Sequence, residues 1–182
     1  MNDEGRADDS DEFVRRYGSV VYNLALRLTG NAADAADLAQ ESLIKALKGL
    51  PAFRGGNKSV WVYRITVNAW KNMLRANSYR RALRFFSTDG EGVSSEPTDV
   101  AAREPGPEES ASAADEKALI ERALALLSPG ERAALVLREL DGRSYEEISE
   151  VLNLPLGTVK SRLARARAML AEVLSEVKND AS

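Results

Sequence analysis

Residues 144–167 read SYEEISEVLNLPLGTVKSRLARAR, and this stretch decides the fold. Ser144 with Glu147 three positions later makes a capping box, which opens a helix by satisfying free backbone N–H groups. The helix it opens is short and holds Ile148 and Leu152 inward, and Asn153 with Leu154-Pro155 breaks it. The next helix is longer and carries Val159, Leu163, Ala166, Leu170, Val173 and Leu174 on one face. A helix of about eight residues, a turn of about four and a longer helix is the layout of a helix-turn-helix. Ile148, Leu152, Leu154 and Val159 are expected to hold the two helices at a fixed crossing angle. The outward face of the second then shows Thr158, Lys160, Ser161, Arg162, Arg165 and Arg167, with four bases and no acid between Thr158 and Ala171. Such a face fits the major groove of duplex DNA, its first residues nearest the base edges, and the helix start favours a phosphate. The competing reading is a basic face that is merely solvated. The confinement of the bases to the second of two tight helices favours DNA. If they neutralise about four phosphates, log affinity falls with log salt at a slope near −0.9 times four.

Working outward, Ser128-Pro129-Gly130-Glu131 repeats the capping box, with proline in the first helical turn. Ala133, Val136, Leu137 and Leu140 follow as an apolar stripe, and Asp141-Gly142 turns the chain. Residues 87–116 are rich in Ser, Glu, Pro and Gly and nearly free of large apolar side chains, so they cannot offset their ordering entropy and read as a flexible acidic linker. Before them, Phe13, Tyr17, Val20, Val21, Leu24 and Leu28 share one helical face that ends at Thr29-Gly30. A second helix begins near Ala32 and carries Leu38, Leu43, Ala46, Leu47 and Leu50, with Gly49 and Pro51 marking its end. A third, with Ser59 as its expected cap, runs through Trp61, Tyr63, Ile65, Val67, Trp70, Met73 and Leu74 to about Leu83. No segment alternates with a period of two. The fold class is therefore all-α: an acidic N-terminal tail over 1–12, a helical domain over 13–86, the linker over 87–116 and a helix-turn-helix domain over 117–182.

The net charge of −3 conceals an uneven distribution. Residues 13–86 hold 13 bases against 3 acids, while 1–12 and 87–116 are strongly acidic and 117–182 is balanced. A basic block attracts polyanions by releasing their counterions. Arg54, Lys58, Arg64, Lys71, Arg75, Arg80, Arg81 and Arg84 are interleaved with Phe53, Trp61, Tyr63 and Trp70, a mixture that suits single-stranded nucleic acid. Any one ring reads somewhat better as core, but the cations do not, since burying them unpaired is costly. The three acids of this block are Asp34, Asp37 and Glu41. Asp34 sits where a helix dipole welcomes it, and Asp37 and Glu41, four apart, present one face to a basic partner.

The chain has no cysteine and no histidine, which excludes disulfides, thiolate metal sites, Ser-His-Asp or Cys-His catalysis and H-E-x-x-H zinc helices. No catalytic residue, metal or cofactor is expected, and an enzyme is the least supported class. No apolar run reaches the ~18–20 residues that span a bilayer, and the acid-rich start is unlike a secretory signal, so a cytoplasmic protein without membrane insertion is expected.

Together these residues resemble the extracytoplasmic-function group of bacterial sigma factors, over about residues 11–84 and 117–175. Asp34-Ala35-Ala36-Asp37-Leu38-Ala39-Gln40-Glu41 is similar to the segment that docks on the β′ clamp helices of RNA polymerase, which implies Asp34, Asp37, Leu38, Gln40 and Glu41 as core-polymerase contacts. Trp61-Val62-Tyr63-Arg64-Ile65-Thr66-Val67-Asn68 is similar to the family's stretch facing the promoter −10 element. It implies −10 contacts from Phe53, Arg54, Asn57, Lys58, Ser59, Trp61, Tyr63, Arg64, Asn68, Lys71, Asn72 and Arg75, the loop trapping an unstacked base. Gly157-Thr158-Val159-Lys160-Ser161-Arg162-Leu163 matches the family's recognition helix and implies −35 contacts from Thr158, Lys160, Ser161, Arg162, Arg165 and Arg167. The implied partners are core RNA polymerase through its β′ clamp helices and β flap, promoter DNA, and an anti-sigma factor. The loop 55–60 departs from the pattern by lacking an aromatic residue. Two other functions are weighed. A sigma mimic that titrates an anti-sigma factor would have no need of a first block at net +10. A LuxR-like regulator would need an α/β amino-terminal domain.

Overall fold

The structure is a computed structural model in which residues 3–87 and 123–180 are described, the side chains of 3–9, 81–87, 174 and 176–180 excepted. Apart from its first residue, the expected linker lies outside them, as do the side chains of Arg81, Arg84 and Leu174. Among the described residues every regular element is helical. An α/β amino-terminal domain is therefore not what residues 3–87 form. The chain divides into two compact units, one of residues 1–56 and 65–103, the other of 57–64 and 104–182.

In the first unit α1 spans Asp3–Thr29 and α2 spans Ala32–Gly49. They pack on each other, burying Phe13, Tyr17, Val21, Leu24 and Leu28 from α1 and Ala35, Leu38, Ala39 and Ala46 from α2. This is the expected stripe, with Val20 half-buried at its margin. Helix α1 stops at Gly30, whose φ of 80° is open to glycine at little cost. Helix α2 starts with a reciprocal cap: Asn31 Oδ1 accepts from the Asp34 amide at 2.8 Å, and Asn31 Nδ2 donates to Asp34 Oδ2 at 2.8 Å. A 3₁₀ turn, Leu50–Ala52, leads to the loop.

Helix α3 spans Lys58–Ser87. Its cap is Asn57, not Ser59: Asn57 Oδ1 accepts from the amides of Ser59 at 3.0 Å and Val60 at 3.3 Å. Both residue types cap well, and spacing alone does not separate them. The preceding Gly55 and Gly56, at φ 99° and 96°, supply the turn that aims Asn57.

In the second unit α4 spans Pro129–Leu135, α5 Tyr145–Leu152 and α6 Leu156–Asp180. Both capping boxes form, Ser128 with Glu131 and Ser144 with Glu147. After α4 the chain widens into a π turn, Val136–Leu140. This corrects the expected stripe: Ala133, Val136 and Leu137 are buried, but the extra residue per turn rotates Leu140 outward to 46% exposure. Asn153 ends α5 in the left-handed conformation, φ 53° and ψ 57°. Ile148, Val151 and Leu152 then meet Val159, Leu163 and Ala166 in one core, while Leu154 is half-buried.

Candidate nucleic-acid interface

Helix α6 turns Val159, Leu163 and Ala166 to the core, which leaves two flanks. Thr158, Ser161, Arg162 and Arg165 recur at three- and four-residue spacing and share one, while Lys160, Ala164 and Arg167 share the other. The six residues expected to face DNA are thus not one continuous face. Ser161 Oγ donates to the Thr158 carbonyl at 3.0 Å. Arg162 lays its guanidinium across Gly130 on α4. Arg165 pairs through Nε with Glu131 Oε1 at 3.2 Å. Arg167 pairs with Glu139 of the π turn, Nη2 at 2.6 Å and Nε at 3.1 Å from Oε1. Lys160 is exposed. Glu131 is held below the usual carboxylate range, chiefly by the Ser128 hydroxyl and amide against the opposing effect of burial, with help from Arg165 and Arg162.

Along α3, Arg64, Asn68, Lys71, Asn72 and Arg75 recur at three- and four-residue spacing. All are exposed except the half-buried Lys71. Arg75 Nη1 donates to Asn72 Oδ1 at 3.1 Å, which fixes neighbouring polar groups on one stripe. Tyr63 and Trp70 are core residues, and Phe53 and Trp61 are half-buried. Residues 57–64 cluster with the second unit. The Arg64 Nε donates to the Glu150 carbonyl at 2.9 Å, and Arg143 Nη2 to Ser59 Oγ at 3.1 Å. The Arg143 guanidinium also lies 4.2 Å from the centroid of the Tyr63 ring. The Tyr63 side chain is buried. In the loop, Arg54 Nη1 donates to the Pro51 carbonyl at 2.8 Å, and Lys58 is exposed.

On α2 the outward residues are Asp37, Gln40 and Glu41, with Glu41 paired to Lys45. Asp34 is half-buried in the cap of α2, and Leu38 lies wholly inside the core. Ile44, 44% exposed, shares the face of Asp37, Gln40 and Glu41. Sequence reasoning missed it because it sorted apolar residues inward. The available signal was that Ile44 follows Asp37 by seven positions and falls outside the buried register of Leu38, Ser42 and Ala46.

The profile described as Sigma-70 region 2 matches residues 13–80, and that described as Sigma-70, region 4 matches residues 117–170. The chain is 35% identical over 173 residues to the RNA polymerase sigma-H factor of Pseudomonas aeruginosa, covering 94% of this chain and 89% of the relative. The chain belongs to the ECF family of RNA polymerase sigma factors. Other relatives agree. The ECF RNA polymerase sigma-E factor of Escherichia coli K12 is 37% identical over 85% of this chain and 80% of its own length. The ECF RNA polymerase sigma factor SigE of Mycolicibacterium smegmatis is 36% identical over 96% of this chain, which spans 65% of that relative's length. Among solved structures, the sigma factor RpoE of Bartonella quintana in complex with the anti-sigma factor NepR superposes with a TM-score of 0.67 at 26% identity, covering 92% of this chain and 97% of that one. CnrH in complex with the cytosolic domain of CnrY gives 0.62 at 26%, covering 92% and 88%. Placed on this sigma factor, region 4 contains α5 and α6 as far as residue 170, and region 2 contains α2 and the stripe of α3.

Proposed function

We propose that this sigma factor joins core RNA polymerase and directs it to promoters by three separate surfaces. Helix α6 enters the major groove of the −35 element and reads it from the flank carrying Thr158, Ser161, Arg162 and Arg165. The α3 stripe from Arg64 to Arg75, with the loop Phe53, Arg54 and Lys58, follows the non-template strand of the −10 element. The outward face of α2, with Asp37, Gln40, Glu41 and Ile44, docks on the β′ clamp helices, and region 4 meets the β flap. Capture of an extruded base offsets part of the few kcal/mol that strand opening costs. The domains fall at 13–86 and 117–182 with an acidic stretch of sequence between them, and the setting is the cytoplasm. No helix among the described residues is long and apolar enough to cross a membrane. The work is positioning on a template and requires no catalytic group or cofactor.

The observation that carries this reading is α6: a helix seated by a fixed turn on α5, with cations and hydroxyls beginning at its first turn. Regulation by an anti-sigma factor is part of the proposal, supported by the RpoE–NepR and CnrH–CnrY complexes. Footprinting of the polymerase holoenzyme on promoter fragments tests the assignment. Protection at both elements is expected, and Arg162→Ala with Arg165→Ala is expected to remove the upstream protection first. Upstream protection that survives both substitutions overturns the assignment of α6.

A further inference from the structure

The feature left unexplained by promoter reading alone is the pairing of α4 with the reading flank of α6. Glu131 divides its carboxylate between two tasks. Its Oε2 accepts from the Ser128 hydroxyl at 2.6 Å and amide at 3.2 Å, and its Oε1 faces Arg165 Nε at 3.2 Å. The cap anchors it, so Glu131 is the fixed partner, 17% exposed, and Arg165 the mobile one at 66%. Because Nε makes the contact, the two terminal nitrogens of Arg165 stay available for a phosphate or a guanine edge. Next to it, Gly130 leaves the space that Arg162 fills: a Cβ there would stand 2.2 Å from Arg162 Nη1 and 2.8 Å from Cζ. Any other residue at 130 displaces that guanidinium. Gly130 lies in the first turn of α4 with its backbone outside the left-handed region, so no special backbone conformation calls for glycine here, and the space it leaves is the one that Arg162 fills.

We propose that Gly130 and Glu131 are positioning residues that fix the directions of Arg162 and Arg165 and thereby set the base preference at the −35 element. The proposal rests on the assignment of α6 as the −35 reader. Glu131 contributes a negative charge close to DNA, which opposes binding in general, so its effect is on discrimination and not on raw affinity.

The test uses the full chain assembled with core RNA polymerase and duplexes selected from a pool randomised across the upstream element. The readout is the ratio of affinities for selected and unselected duplex. Gly130→Ala keeps every charge and favours the helix, so the protein folds; the ratio is expected to fall at least five-fold, with altered preference at one base pair. Glu131→Gln retains the capping acceptor; binding to unselected duplex is expected to rise while the ratio falls two- to five-fold. Ser144→Ala, which weakens a cap elsewhere, is expected to lower the melting temperature and leave the ratio as it was. Unchanged ratios in Gly130→Ala and Glu131→Gln, with lowered ratios in Arg162→Ala and Arg165→Ala, overturn the positioning role and keep the reader. Unchanged ratios in all four overturn the reader, and the positioning role with it.

Discussion

Leu38 and Ile44 sit six residues apart on α2 and have opposite roles. The family resemblance places Leu38 among the polymerase contacts, yet its side chain is entirely inside the core. Leu38→Ala is expected to destabilise the first unit by about 2–5 kcal/mol through the cavity it leaves. Ile44→Asp changes an exposed position and is expected to stay within about 0.5 kcal/mol of the native stability. Its cost is expected in docking: roughly ten-fold weaker competition for core polymerase, about 1.4 kcal/mol. Denaturant titration and competition binding separate the two. Asn153 acts through its backbone, which ends α5 in the left-handed conformation. At φ 53° a side chain without Asn's local hydrogen bonding is strained, so Asn153→Ala is expected to cost about 1 kcal/mol and Asn153→Gly little.

Among the elements, helices with a strong 3.6-residue period and a capping box were legible, because the period and the box are local properties of sequence, whereas at the start of α3 two good caps, Asn57 and Ser59, stand two residues apart and Asn57 makes the bonds. Both capping boxes and the break at Asn153 follow from neighbouring residues alone. What was not legible depends on contacts across the chain or on fine backbone geometry. The π turn that rotates Leu140 outward has no signature in apolar spacing. The covering of Tyr63 by Arg143 joins residues far apart in sequence. The split of α6 into two flanks was implicit in the helical period, but the pairing of Arg167 with Glu139 was not. Arg167→Ala is therefore expected to leave the salt slope of duplex binding nearly unchanged, whereas Arg165→Ala lowers its magnitude by about one.

The caps also set a pH dependence. Glu147 is held below its ordinary value of 4.5, first by the Ser144 amide against burial and then by Arg143; Glu131 is lowered likewise, first by Ser128. A carboxylate with a depressed native pKa stabilises the fold above its unfolded value and loses that contribution as pH falls through the native one. The melting temperature of the second unit is thus expected to be flat above about pH 5.5 and to fall below pH 4.5. Ser128→Ala and Ser144→Ala should each lower stability by about 1 kcal/mol at neutral pH and flatten the acid limb.

For the whole molecule, the net charge of −3 said little and its distribution said much. A basic first block, two acidic stretches and a balanced helix-turn-helix domain outlined a protein that meets nucleic acid at more than one place. That domain's charge balance predicts weak binding on its own and useful binding only when polymerase holds it over the template. The central claim is that this chain supplies promoter specificity. It is tested most directly by transcription in vitro with this sigma factor as the only one added to core polymerase, on fragments mapped after its overexpression. The account predicts discrete start sites that vanish when Arg162→Glu and Arg165→Glu are combined, with the chain still bound to polymerase. Start sites indistinguishable from those of core polymerase alone, or a charge-reversed variant that initiates like the native chain, would contradict it.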